Sequence, residues 1–480
     1  MKQLRHRFKL LALFLFALFA ALMLYGAYNI ANYGTRWFSS SHNPRVAAQK
    51  ENVIAGDILD RNGVVLASIS EDGQRVYHPD AAVRSAVVHT VGSPDNKVAD
   101  SVESFMTEYL YGFRSNLPDL IRNLFSGGTR KGDNVALTLD STLCANIPRY
   151  YASHPVTGGK NGAAVVMNWK TGELLAVVSL PSFDPADAGV KSIDETGQPY
   201  WNRVTRGRYP PGSTFKIITA AAALRAGMNT GDDTFWCSGS LQVDGQHTIR
   251  DFSGEVHESE DLRKAFKLSC NPYFSDLALR LTDARLRGEA ERFGFNDNVL
   301  FRDLVVENSV YPSGIRSDYE VAMSGLGQST LLATPLHMCL VAAGIANGGV
   351  MMEPRLIREV KSPTGSSVLA FSSEAYRTAC TPETAAVLQQ YMKDVVQDGG
   401  SGWRARISGM DIRGKTGTAE SSLDGKDITY GWFIGYSADE SLPYALCVLT
   451  EDIEDGQTGG TTSALVAKDI FGYLLQINGQ

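Results

Sequence analysis

The sequence predicts a membrane-anchored α+β protein, with a small N-terminal domain and a larger domain whose central antiparallel sheet carries helices on both faces. Three observations predict it. An uncharged apolar run, Leu10 to Tyr28, lies near the N-terminus. Strand signals then come first, helical signals fill the middle and strand signals return at the end, an order that packs helices on one antiparallel sheet. Composition is that of a globular chain, with 44% hydrophobic and 20% charged residues, which excludes wholesale disorder and fibrous classes. A length of 480 residues leaves room for about two to four domains.

The elements follow in order. Residues 1–9 carry Lys2, Arg5, Arg7 and Lys9 without an acid. Residues 10–28 match the roughly 18 or more apolar residues needed to cross a bilayer, and no A-x-A cleavage site follows. The run reads as an uncleaved single-pass anchor. The positive-inside rule keeps the basic tail in the cytoplasm and puts the rest of the chain outside. Residues 29–50 are polar and mixed, and read as a stalk. Residues 51–150 read as the small first domain. In it, apolar stretches flank Asp60-Arg61-Asn62-Gly63, and Asn-Gly between such stretches is a hairpin signal. A loosely helical region follows over about 80–125, then an alternating strand at 132–141.

Residues 151–480 form the larger domain. GAAVVMNW and ELLAVVSL are apolar runs joined by Lys170-Thr171-Gly172, another hairpin. A long helical stretch is expected from about 213 to 400. Its clearest helix opens at Thr334-Pro335, an N-cap followed by proline, and stops at Gly348-Gly349. After 410 come the strands RGKTGTAE, YGWFIGYS and YALCVLTE, and a last helix at about 461–476 closes the chain.

Net charge is −7 in spite of the basic tail, so the chain beyond it is more acidic still, which argues against nucleic acid as a partner. Six cysteines are too few for a disulfide scaffold and read as buried free thiols. No CxxC and no HExxH occurs, so no spacing signals a metal. His154, His247 and His337 stand outside any cluster and read as structural.

Chemistry is concentrated in three segments. In YPPGSTFKIITAAAALRAG (209–227) a turn at Pro210-Pro211-Gly212 leads into a helix whose only charge from Thr214 to Leu224 is Lys216. A helix apolar all round is normally buried, and a buried ammonium tends to give up its proton. Ser213 lies three residues before Lys216, on the same face of the first turn. A lysine of depressed pKa beside a hydroxyl is a general base beside a nucleophile. The plainer reading is a capping serine and a snorkelling lysine. In LSCNPYF (268–274), Ser269 and Asn271 follow a helix and can point into one cleft, though an Asx-type turn explains them equally. In RGKTGTAE (413–420), Lys415 and Thr416 can hold a carboxylate. Gly417 lets a ligand approach the strand, and the Thr418 N–H can face a reacting carbonyl. The letters of Gly409 to Thr416 also match a phosphate-binding loop, but the strand and helix that motif needs do not flank them.

Ser213-x-x-Lys216, Ser269-x-Asn271 and Lys415-Thr416-Gly417, in this order, resemble the penicillin-binding protein and serine β-lactamase superfamily. IAGDILDRNGVVLA (54–67), TGELLAVVSLPSFDP (171–185) and GLGQSTLLATPLHM (325–338) resemble segments of its class B members. The resemblance implies a serine D,D-transpeptidase acting on peptidoglycan stem peptides that end in D-Ala-D-Ala. Ser213 is then the acylated nucleophile, Lys216 its base, Ser269 a proton relay and Asn271 a substrate-positioning group. Lys415, Thr416 and Gly417 would hold the donor's terminus. The backbone N–H groups of Ser213 and Thr418 would form the oxyanion hole. β-Lactams would acylate Ser213. Neither a cofactor nor a metal is implied. A glycosyltransferase of the SEDS family is the implied partner, beside the membrane. The alternatives are a D,D-carboxypeptidase or β-lactamase, with water as acceptor, and a non-enzymatic β-lactam sensor or scaffold.

Overall fold

The computed structural model describes residues 2–38, 53–94, 97–98, 100–112, 130–187, 197–228, 233–314, 316–423 and 426–478. The apolar run forms a single helix, Lys2–Phe38. Within it Arg5–Tyr28 is long and apolar enough to cross a membrane, with mean hydropathy 2.5 and no buried residue. The helix runs on through 29–38, the first part of the expected stalk. Residues 39–50, and the 113–125 part of the expected helical region, lie outside the described residues.

The first sheet has six strands in the order Ser367–Ala370, Ile357–Lys361, Asn134–Leu137, Ile58–Leu59, Val65–Ile69 and Arg75–Tyr77. The Asn-Gly hairpin forms as expected, with Ile58 opposite Ala67. Asp60 builds its turn: Oδ1 accepts the Asn62 and Val64 N–H groups at 2.7 and 2.9 Å, and Gly63 supplies a positive φ of 84°. Oδ2 of the same carboxylate accepts the Ser141 hydroxyl at 2.7 Å, tying the turn to the next helix, Ser141–Ser153.

Two strands of this sheet come from residues 357–370, far beyond position 150 and inside the stretch expected to be helical. That expectation needs correcting. Helices Lys216–Arg225, Leu262–Leu268, Asn271–Leu281, Asp283–Arg292, Asp318–Gly325, Pro335–Ala346 and Pro382–Val396 are present. Between them lie short strands at 235–260 and 350–378. Strands such as Ser240–Gln242, Thr248–Arg250 and Glu258–Glu260 have three residues each and are largely exposed, so they carry no apolar alternation to read.

The second sheet holds the site. Its order is Ile412–Leu423, Lys426–Ser437, Tyr444–Thr450, Gly162–Asn168 and Leu174–Leu180, antiparallel throughout. Every residue of Tyr444–Thr450 is buried, so both faces of the sheet are covered. Helix Pro335–Ala346 packs on three of its strands, and Ser463–Asn478 and Ser141–Ser153 also pack on it. The first of these helices starts where the sequence predicts: the Thr334 side chain accepts the His337 N–H, and Pro335 fills the first position. Arg84 and Asp184 join the two regions through a bidentate pair at 2.6 Å.

Candidate active site

The turn before Lys216–Arg225 is a short 3₁₀ helix, Gly212–Phe215, rather than α-helix from its first residue. In that tighter geometry residues three apart eclipse each other, which sets Ser213 and Lys216 on one side. Gly212 is required there. Its φ is 53°, and a Cβ would stand 2.4 Å from the Thr418 carbonyl oxygen. The turn is pinned by the Gly212 N–H on Gly327 O at 2.9 Å and the Trp432 indole N–H on Pro210 O at 3.0 Å.

Ser213 lines a cleft of about 950 Å³ with Ser269, Asn271, Thr416, Gly417 and Thr418. Its hydroxyl makes no hydrogen bond among the described residues. Lys216 is fully buried behind it. Its Nζ donates to Ser269 O at 2.6 Å and to Asn271 Oδ1 at 2.8 Å, and Ser269 Oγ lies 3.4 Å away. Burial lowers the Lys216 pKa to about 8, against the opposing pull of Asp251, Cys270 and Glu260. A neutral amine with two N–H groups committed to two close acceptors keeps its lone pair for a third group.

Ser269 ends the Leu262–Leu268 helix in the left-handed region, with φ 66°. Helix Asn271–Leu281 starts two residues later, capped by Cys270, whose Sγ accepts the Tyr273 N–H. A helix ending and another beginning across one residue holds Ser269 and Asn271 toward Lys216, so both polar side chains serve the lysine as well as the cleft.

Lys415, Thr416, Gly417 and Thr418 lie on Ile412–Leu423. Lys415 is fully buried, and its Nζ donates to Ser269 Oγ at 2.8 Å and to Thr416 O at 3.2 Å. Burial first, then the charge of Lys216, pushes its pKa well below the ordinary lysine value. The expected carboxylate-binding lysine therefore stands behind the cleft wall, while Thr416 faces the cleft. Gly417 is needed for a reason other than ligand access: a Cβ would meet Pro211 O at 2.8 Å and Thr214 N at 3.2 Å. The strand can approach the Ser213 turn only at a glycine.

Sequence reasoning missed several neighbours. Ser401 Oγ and Thr416 Oγ1 are 2.7 Å apart, and the Gly459 N–H donates to Thr418 Oγ1 at 3.3 Å. Asp251 Oδ1 accepts the Asn271 N–H at 3.2 Å. The run Gly399-Gly400-Ser401-Gly402 was the one available signal, since clustered glycines mark a close approach. Of the three histidines read as structural, His337 is buried with Nε2 2.8 Å from Phe293 O, and His154 pairs with Asp469.

The family model for the penicillin binding protein transpeptidase domain matches residues 162–472. The chain belongs to this family. The peptidoglycan D,D-transpeptidase PbpA of Mycolicibacterium smegmatis is 30% identical over 458 residues, which cover 89% of this chain and 90% of that protein. The stage V sporulation protein D of Bacillus subtilis is 31% identical over 437 residues, covering 86% of this chain and 65% of that protein. Among solved structures, the ceftriaxone acyl-enzyme of penicillin-binding protein A from M. tuberculosis superposes with a TM-score of 0.80 at 28% identity, covering 89% of this chain and 99% of that one. A transpeptidase-domain structure from Eggerthella lenta gives 0.74 at 29% identity, covering 89% of this chain and 99% of that one. The mixed α+β architecture is thus that of penicillin-binding proteins.

Proposed function

We propose that this family member is a peptidoglycan D,D-transpeptidase working through an acyl-enzyme on Ser213. The buried Lys216 carries the reading. With a pKa of about 8, roughly a tenth of it is neutral at pH 7, against well under a thousandth for an ordinary lysine. Neutral Lys216 takes the Ser213 proton as Oγ attacks the carbonyl of the donor's penultimate D-alanine. The backbone N–H groups of Ser213 and Thr418 stabilise the oxyanion. Lys415 donates to Ser269 Oγ, so the Ser269 proton is free to pass to the departing amine while its oxygen takes back from Lys216, 3.4 Å away, the proton removed from Ser213. Terminal D-alanine leaves, and an amine of a neighbouring stem peptide attacks the acyl-enzyme. Thr416 and Ser401 meet the donor carboxylate, with Lys415 supplying positive field from behind, and Asn271 orients the peptide. A β-lactam enters the same way and keeps Ser213 acylated, in line with the relatives solved as acyl-enzymes.

The reading extends to placement. The apolar helix anchors the chain with its basic end in the cytoplasm and the cleft outside, as the charge asymmetry supports. We divide the chain at about residue 150 into a supporting region and the transpeptidase domain, a reading supported by the family match over 162–472. A SEDS-family glycosyltransferase is the proposed membrane partner, on the strength of the class B resemblance.

The test of the reaction is a synthetic D-Ala-D-Ala donor incubated with the full chain and a D-amino acid acceptor. Transpeptidation yields exchanged product. Release of acid alone, at all acceptor concentrations, would mark a carboxypeptidase.

A further inference from the structure

We propose that Gln328 sets how far a donor peptide can pair with the active-site strand: it closes the strand's open edge just beyond Thr418 and confines main-chain recognition to the donor's last three residues. The inference rests on the acyl-transfer reading of this cleft, and it names the part of the donor that the cleft reads.

Strand Ile412–Leu423 lies at one end of its five-stranded sheet. One edge pairs with Lys426–Ser437, and no other strand among the described residues pairs with the opposite edge. An open edge is a template for an extended peptide, which adds to it as a further strand. In antiparallel pairing the main-chain groups turn to a given edge at every second residue. Those of Thr418 and Glu420 therefore share an edge. Gln328 and Glu420 both line the cleft. With the Gln328 amide turned so that donor meets acceptor, Nε2 donates to Glu420 O and Oε1 accepts the Glu420 N–H, both at 3.2 Å. One side chain thus does for Glu420 what a paired strand would do.

Gln328 is aimed by the backbone around it. It sits between two left-handed residues, Gly327 at φ 76° and Ser329 at φ 69°. Its own N–H donates to Met323 O at 3.0 Å. Gly327 O accepts the Gly212 N–H at 2.9 Å, and a Cβ on Gly327 would stand 2.1 Å from Gly212 O. Gly327 therefore braces the turn that carries Ser213, and the next residue covers the strand edge. The segment 325–338 takes part in the site through these two residues.

The register sets the consequence. The donor carboxylate meets Thr416 and the reacting carbonyl meets the Thr418 N–H, so the donor runs antiparallel to the strand with its penultimate residue opposite Thr418. The fourth residue from the donor's C-terminus then falls opposite Glu420. Gln328 already holds both Glu420 groups, so that residue finds no main-chain partner and the donor leaves the strand. A longer peptide gains no strand pairing from its added length.

D-Alanine release from three donors tests this on the full chain in detergent. All are N-acetylated, wholly α-linked and end in D-Ala-D-Ala: a tripeptide, a pentapeptide sharing its last three residues, and that pentapeptide N-methylated at the fourth residue from its C-terminus. Methylation removes the N–H that would pair with Glu420 O. In the unaltered chain kcat/KM should agree within about twofold for all three. Gln328→Ala uncovers the edge. Its pentapeptide should gain about five- to tenfold over the tripeptide, through KM, and methylation should abolish the gain. Donors are compared within each protein, so a general loss of activity cancels. A pentapeptide preferred about fivefold or more by the unaltered chain, with the preference lost on methylation, overturns the proposal without any variant. So does folded Gln328→Ala that treats the three donors alike. Release counts water and amine acceptors equally, so absence of exchanged product with these ratios intact overturns the transpeptidase reading alone.

Discussion

Lys415 reaches from its strand to donate to the Ser269 hydroxyl at 2.8 Å, and Lys216 stands 3.4 Å from the same oxygen. One hydroxyl thus bridges two buried amines. Lys415→Met removes the donor that fixes this hydroxyl, and also a buried amine with no carboxylate partner among the described residues. Stopped-flow acylation by a fluorescent penicillin should slow by about 10²-fold or more. The thermal midpoint should hold or rise.

The pH dependence follows from Lys216. Its pKa is lowered to about 8, so the neutral base gains population as pH rises and saturates above that value. Acylation should climb about tenfold per pH unit below 7 and level off above 8 to 9. A flat profile from pH 6 to 9 would remove Lys216 as the base.

Gly212→Ala adds a methyl at φ 53°, within 2.4 Å of Thr418 O. A cost of about 2–4 kcal/mol is expected in chemical unfolding. Acylation should fall further than stability, because the turn carrying Ser213 must move away from the strand carrying Thr418.

Ser401→Ala removes the hydroxyl that meets Thr416 Oγ1 at 2.7 Å. The loss of about 1 kcal/mol should raise KM for a donor peptide five- to tenfold and leave kcat nearly unchanged. A fall in kcat at constant KM would place Ser401 outside donor binding.

The parts legible in the sequence were those whose signal is local. The Asn62-Gly63 hairpin, the Thr334-Pro335 helix start and the three strands after 410 announce themselves through turn residues and unbroken apolar runs. The spacing from Ser213 to Lys216 likewise sits within one turn. Other features are made by distant pairings. Ile357–Lys361 joins Asn134–Leu137 in the first sheet, and nothing near either strand says so. The second role of Gly417, clearing Pro211, appears only once strand and turn are packed. The residue types of Lys415 and Thr416 point to a carboxylate, but the burial of Lys415 is a property of the packed sheet.

Peptide mapping of the penicillin-treated full chain tests the central claim most directly. The account predicts one penicilloyl group per chain, on the peptide containing Ser213, absent in Ser213→Ala and slowed by about 10²–10⁴ in Lys216→Ala. A modification on any other residue, or rapid labelling of Ser213 without Lys216, would contradict it.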